Sequence, residues 1–487
     1  MKRASFVVSS AAVLGVSAIP LRGACAGERL ATDAMRADLR AFAATVDEVG
    51  VEPYRTSSRD AFRASLARAE HACSEPSPSS VFYVALAQLA ASLNDGHVSV
   101  AGWTDRSRHG EQGGGEFPLR CIVDADDALV VDADFGDAPA VPRGTVVTSI
   151  DGVPAAKVVD LATSLYGGQT RALRRYAARV LDAVFLLAGP HALSQPYRVG
   201  ITPPGGNERT VTLASVAAPV RAARAAALAR GTAPYADLGT TNGVARIAYN
   251  SCVDAERFAA FLQGAVTKAK ASGARALAVD IRANGGGDSN VNEELFAYVS
   301  TKPHRQFGGM TVRASERLRR EYGRDKYVKI YGPEAWAARD GEIIRYGPPA
   351  PSVPKTAADR FTGPAFLLSG VGTFSSAMAC ASTAKAFGLM TLVGEETGEP
   401  VLSTGEVYEF SLPRTAYKAA VTTKLFPPPL DSLPPDRGVI PDIPAPVTRA
   451  DRVAGRDPAF EAVVRAVNGG QPSTKMSSRS GVPGETA

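Results

Sequence analysis

The sequence predicts a multidomain α/β chain on three observations. Its 487 residues exceed what one compact core buries. Residues 30–95 carry apolar side chains at three- and four-residue spacing, the period of helices. Residues 117–215 change to short alternating strands, and residues 233–446 alternate strands with helices, as a mostly parallel sheet flanked by helices requires. A composition of 45% hydrophobic and 21% charged residues is that of a globular protein. No block of like charges and no basic–aromatic interleaving marks a nucleic-acid surface.

At the start, Lys2 and Arg3 precede an apolar run that ends in Ala24-Cys25-Ala26, a small-residue cleavage site. Residues 1–26 therefore read as a secretory signal, and the expected product is exported, periplasmic or secreted. Pro20 and Arg22 end the run too early for an anchor, so no stable membrane span is expected after cleavage. Cys25 invites lipidation, but Arg22 interrupts the small apolar approach that reading needs. Loss of Lys2, Arg3 and Arg22 lowers the formal charge from +5 to about +2. The high basicity belongs partly to targeting. Cys73, Cys121, Cys252 and Cys380 remain without metal-type spacing; export permits disulfides whose pairing stays open.

Residues 27–110 are expected to form an N-terminal helical domain, carried by "ATDAMRADLRAFAATVDEVG" and "SSVFYVALAQLAASLNDG". The polar, Gly-rich stretch 105–116 reads as a linker or flexible loop. Residues 117–215 form one domain of strands, with helical interruptions at 155–165 and 171–189. Residues 233–446 form the α/β core, with strands at "GVARIAYN", "ARALAVDIR", "GPAFLLSG" and "MTLVGEE". Residues 447–487 are expected to supply a C-terminal helix and a disordered tail.

Two strand ends carry candidate chemistry. "LAVDIRANGGGDSN" puts Asn284-Gly285-Gly286-Gly287 beyond a strand's carboxyl end, where ligands sit in such sheets. Consecutive glycines let backbone N–H groups approach a substrate. The spacing matches neither phosphate-binding fingerprint. The strand "AFLLSG" leads into "GVGTFSSAMACA", with Ser375 and Ser376 before a small-residue helix. Either serine reads as a nucleophile or as a helix cap. Five histidines are present, and His97 in "SLNDGHVSV" follows a tight Asp-Gly turn that presents a side chain.

Taken in order, "LNDGHVSV", "VDIRANGGG", "GTFSSAMACA…LVGEETGEP" and "PDRGVIPDI" resemble the tail-specific (C-terminal-processing) serine peptidases and their tricorn-like relatives. The resemblance implies a core related to Clp protease and crotonase, preceded by a PDZ-like α+β domain at 117–215 with a helical insertion. It implies Ser375 as nucleophile, in a Ser-x-x-Glu block where Met378 replaces the glutamate. Ser376 and Gly286 would supply the oxyanion N–H groups. The lysine base of the processing peptidases is absent, since Pro400 fills its position and Lys385 and Lys418 fall outside the motif. The tricorn-like members use a histidine, which His97 matches. The acid that completes the site is left between Asp436, beside Pro435 at the family's glutamate position, and Glu396; Asp442 reads as structural. The implied activity is hydrolysis of polypeptides without metal or organic cofactor, in an oligomeric state left open. An inactive peptide-binding scaffold and an esterase are the competing readings.

Overall fold

The computed structural model describes residues 29–469 except 139–140, 190, 193–194, 229–232, 354–356 and 358. The expected signal segment and the tail beyond Gly469 lie outside the described residues. No helix among the described residues is long and apolar enough to cross a membrane.

Three helices open the chain. Thr32–Val49 buries Met35, Leu39, Phe42, Val46 and Val49, one face at three- to four-residue spacing. Arg59–Ala72 is capped by the Ser58 hydroxyl, which accepts the Ala61 N–H at 3.0 Å. Ser79–Ala91 is buried nearly all round and runs into the turn that carries His97. Asp38, wholly buried on the first helix, accepts the N–H groups of Arg414 and Thr415 and the Thr415 hydroxyl, which ties this helix to the core's 400s.

The stretch expected to be a linker is ordered. Asp105–Glu111 is a helix, and Gly114–Glu116 pairs with His191–Ala192 and with Val216–Ala217. Its charges have partners: Arg106 bonds Glu116 at 2.5 Å and Asp182 at 2.8 Å. Gly114 has the His109 ring 2.1 Å from where a Cβ would stand, so the glycine serves close packing, not mobility.

The strands Arg209–Leu213, Tyr197–Thr202, Val146–Ile150, Leu129–Asp134 and Leu119–Val123 lie in that spatial order, antiparallel. Asp151 and Gly152, both at positive φ, turn the chain into Val153–Pro154 and the helix Ala155–Ser164. The single helix expected at 171–189 is two, Arg171–Tyr176 and Val180–Ala188. The break arises where the Arg179 N–H leaves the helical path for Ala162 O.

The core sheet runs Tyr235–Thr241, Val244–Tyr249, Ala276–Asp280, Ala365–Ser369, Thr391–Gly394 and Ile443–Pro444, parallel after its first pair. Alternate residues of its inner strands face opposite layers. Ile247, Leu277, Val279, Leu367 and Leu392 pack against the helices Ala255–Ala271, Val291–Val299 and Ser376–Ala386. Val244, Ala276, Ala278, Leu368 and Val393 pack against Pro458–Val467. The C-terminal helix is therefore a layer of the core and not an appendage.

Asp457 caps that helix and meets Arg282 at 2.7 and 2.9 Å and Arg246 at 2.9 Å. Burial opposes ionisation, but the hydrogen bonds and charges of Arg282 and Arg246 prevail and hold its pKa down to about 2. A depressed carboxyl stabilises the fold above its unfolded pKa, and this contribution is lost as pH falls from about 4 towards 2. Asp457→Asn is expected to cost about 2 kcal/mol at neutral pH. It should also flatten that part of the acid-unfolding curve, as followed by circular dichroism.

A second sheet, which the sequence reading left unassigned, joins Ile343–Tyr346, Met310–Arg313, Lys418–Phe426 and Ser403–Ser411. Ser99–Ala101 pairs with Lys418–Ala420 of this sheet. That pairing brings His97, two residues upstream, to the core.

Candidate active site

Ser375 sits where the strand Ala365–Ser369 turns into the helix Ser376–Ala386. Its backbone adopts φ 54°, ψ −125°, and its side chain makes no capping bond. Such a conformation costs a non-glycine residue about 1–3 kcal/mol and persists only where its surroundings impose it. They do so here. The Ser375 N–H donates to Glu399 Oε2 at 2.6 Å, the Phe374 N–H to Asn284 O at 3.0 Å, and the Thr373 hydroxyl to Ile281 O at 3.0 Å. Ser375 is therefore no helix cap: its half-buried side chain stands uncapped on a strained turn.

The Gly-rich loop lies against this turn. A Cβ on Gly286 would stand 2.6 Å from Ser375 Cβ and 2.9 Å from Ser376 N, so only glycine fits. The Gly286 N–H is already engaged, donating to Asn284 Oδ1 at 2.9 Å, which corrects its expected place as an oxyanion donor. The Cys252 N–H donates to Gly286 O and the Asp288 N–H to Cys252 O, a parallel bridge that leaves Gly287's own N–H and C=O facing away from Cys252. That carbonyl accepts the Ser376 hydroxyl at 2.7 Å, so Gly287 presents its backbone to the helix that follows Ser375. Asn284, wholly buried, fixes the loop by donating to Tyr249 O at 2.9 Å.

His97 is buried, and its ring packs on Phe374, 4.5 Å between centroids. The Thr404 hydroxyl donates to Asp95 Oδ1 at 2.8 Å, which leaves its lone pairs to His97 Nδ1 at 3.4 Å. Thr422 and the His97 N–H also donate to Asp95. With Nδ1 protonated towards Thr404, Nε2 is an acceptor, and it is buried without a hydrogen-bond partner among the described residues. Burial pushes the His97 pKa down, against the charge of Asp95, so the ring is neutral near pH 7.

The expected acids are elsewhere. Asp436 is exposed on its loop and makes no hydrogen bond or ion pair with His97. Glu396 is held by Arg437, at 2.6 Å, and by the Gly438 N–H, at 2.9 Å. Asp442 accepts from Lys385 and the Leu392 N–H, which also places Lys385 outside the site. The acid beside His97 is Glu399, which the sequence reading did not single out. It is wholly buried, with Oε1 3.6 Å from His97 Nδ1 and without a hydrogen bond among the described residues, while Oε2 holds Ser375. Burial raises its pKa well above the carboxylate range, opposed by the Ser375 N–H. One signal for it was in view: "GEETGEP" offers three glutamates, and the third precedes Pro400, at the vacated lysine position.

Residues 243–445 match the model described as Peptidase family S41. Comparison with curated proteins finds no match. Among solved structures, mature CPAF is similar at a TM-score of 0.61 and 17% identity, covering 90% of this chain and 98% of that one. Mature CPAF complexed with lactacystin gives 0.61 and 16%, covering 90% and 99%. A photosystem II D1 C-terminal processing protease gives 0.42 and 15%, covering 90% and 97%. At such identities the likeness to CPAF is one of fold.

Proposed function

We propose that the chain, whose residues 243–445 match the model described as Peptidase family S41, is a serine peptidase that cleaves polypeptides with Ser375 as nucleophile and His97 as general base. His97 Nε2 takes the hydroxyl proton as Ser375 Oγ bonds to the scissile carbonyl carbon, then returns it to the leaving amine. The N–H groups of Ser376 and Gly287 stabilise the oxyanion, and water releases the acyl group by the same steps. Glu399 faces Nδ1 and stabilises the imidazolium that forms in passing. Asp95, through Thr404, fixes the ring's tautomer.

The observation that carries this reading is the buried, unpartnered Nε2 of a neutral His97, packed on the residue next to Ser375. The strained Ser375 turn supports it, since strain of this kind gathers at reactive residues. A histidine site fits the chain better than a lysine site, because Pro400 stands where a lysine base belongs.

In this reading the helical region 27–110 delivers His97, and a PDZ-like domain spans 117–215. The core spans 233–446, and residues 1–26 direct export to the periplasm or exterior. A fluorophosphonate probe tests the chemistry. Labelling of the wild type is expected to vanish in Ser375→Ala and persist in Ser376→Ala. No labelling of folded wild-type protein would instead favour a peptide-binding scaffold.

A further inference from the structure

The short helix Arg171–Tyr176 precedes the core by some 60 residues, yet rests on both turns of the candidate active site. Its N-cap Thr170 accepts the Leu173 N–H and donates its hydroxyl to Gly398 O at 2.8 Å, one residue before Glu399. Leu173, buried, lies 3.0 Å from where a Cβ on Gly398 would stand. At the other end, the Tyr176 hydroxyl lies 2.4 Å from where a Cβ on Gly372 would stand. Gly372 is three residues before Ser375, within about 10 Å along the chain. Arg175 and Arg171 pair with Asp127, so the helix is held from the opposite side as well.

Tyr176 is unusual in this setting because it is 58% exposed. Its hydroxyl and Cζ are tucked against Gly372 in the turn before Ser375, where desolvation raises its pKa, although over half of the residue is exposed. Among the described residues that hydroxyl makes no hydrogen bond. A side chain serving only to pack the turn would bury its ring, which holds most of its apolar area. Here much of the residue is left open beside the turn that leads to Ser375.

We propose that Tyr176 is a specificity-determining residue, its ring forming a wall of the substrate cleft that receives an apolar or aromatic side chain near the scissile bond. The proposal rests on Ser375 being the nucleophile. Digestion of a proteome-derived peptide library by the mature full-length protein tests it, with cleavage sites read by mass spectrometry. Wild type is expected to enrich apolar or aromatic residues at one position flanking the cut. Fluorogenic peptide pairs then carry Phe or Ser at that position.

Tyr176→Ala is expected to lower the Phe-to-Ser ratio of kcat/KM about tenfold, mainly through KM, and Tyr176→Phe to preserve it. The proposal is overturned by an unchanged ratio, or by an equal loss on both peptides, which would make Tyr176 a prop for Gly372. A wild type without apolar enrichment does the same. Fluorophosphonate labelling run alongside separates the two readings. Failure of wild type to label counts against Ser375 itself, whereas normal labelling with an unchanged ratio counts against Tyr176 alone. Thermal unfolding of each variant guards the comparison, and an unstable Tyr176→Ala is replaced by Tyr176→Ser under the same criteria.

Discussion

Cleavage by Ser375→Ala or His97→Ala is expected to fall by about 10⁴–10⁶ in kcat, and the double variant to be no worse than either. Nucleophile and base act as one unit: without the base Oγ keeps its proton, and without Oγ the base has nothing to activate. His97 is committed to that unit by its surroundings. Asp95, Thr404 and Thr422 fix one side of the ring, Phe374 covers a face, and Nε2 has no hydrogen-bond partner among the described residues. Residual activity of about 10³–10⁴ over water should persist in both variants, because the N–H groups of Ser376 and Gly287 belong to the backbone. Steady-state kinetics on one peptide decides the matter. Additive losses, or a His97→Ala variant within tenfold of wild type, would remove His97 from the mechanism.

Much of this was legible beforehand because it depends on local pattern. Apolar periodicity marks the helices Thr32–Val49 and Ser79–Ala91 and the strands Ala276–Asp280 and Ala365–Ser369, since each buries a face that its own residues define. The juxtaposed loops 284–287 and 370–376 follow from adjacent parallel strands. What could not be read depends on contacts distant in sequence. The polar stretch 105–116 looked mobile because the partners of Arg106 include Asp182, 76 residues away. Gly286 and Gly287 are indistinguishable in sequence, and only the pairing with Cys252 decides which N–H is free to face the turn. Among the glutamates of "GEETGEP", Glu396 is turned outward by Arg437, whereas Glu399 is turned inward by the strained Ser375 N–H.

Glu399→Gln is expected to lower kcat by about 10²–10⁴ and to shift the acid limb of its pH profile downward. The amide oxygen can still accept the Ser375 N–H, so the strained turn survives and the loss reports on charge beside Nδ1. The proposed mechanism needs His97 neutral and Glu399 ionised. Burial lowers the first pKa and raises the second, so the proton that stops activity on acidification binds the pair and its apparent pKa belongs to both. In wild type, activity therefore rises as pH rises through that pair. In Glu399→Gln only the desolvated His97 titrates, with one fewer carboxylate to favour its charged form, so the limb moves to lower pH while the plateau drops. Glu399→Ala should lose more activity and also lower Tm, because it releases the Ser375 N–H. Asp95 is the rival acid, reaching His97 through Thr404, with Oδ1 3.9 Å from Nδ1. If Glu399→Gln keeps wild-type kcat and the same acid limb, while Asp95→Asn loses both, the charge that supports the imidazolium comes from Asp95.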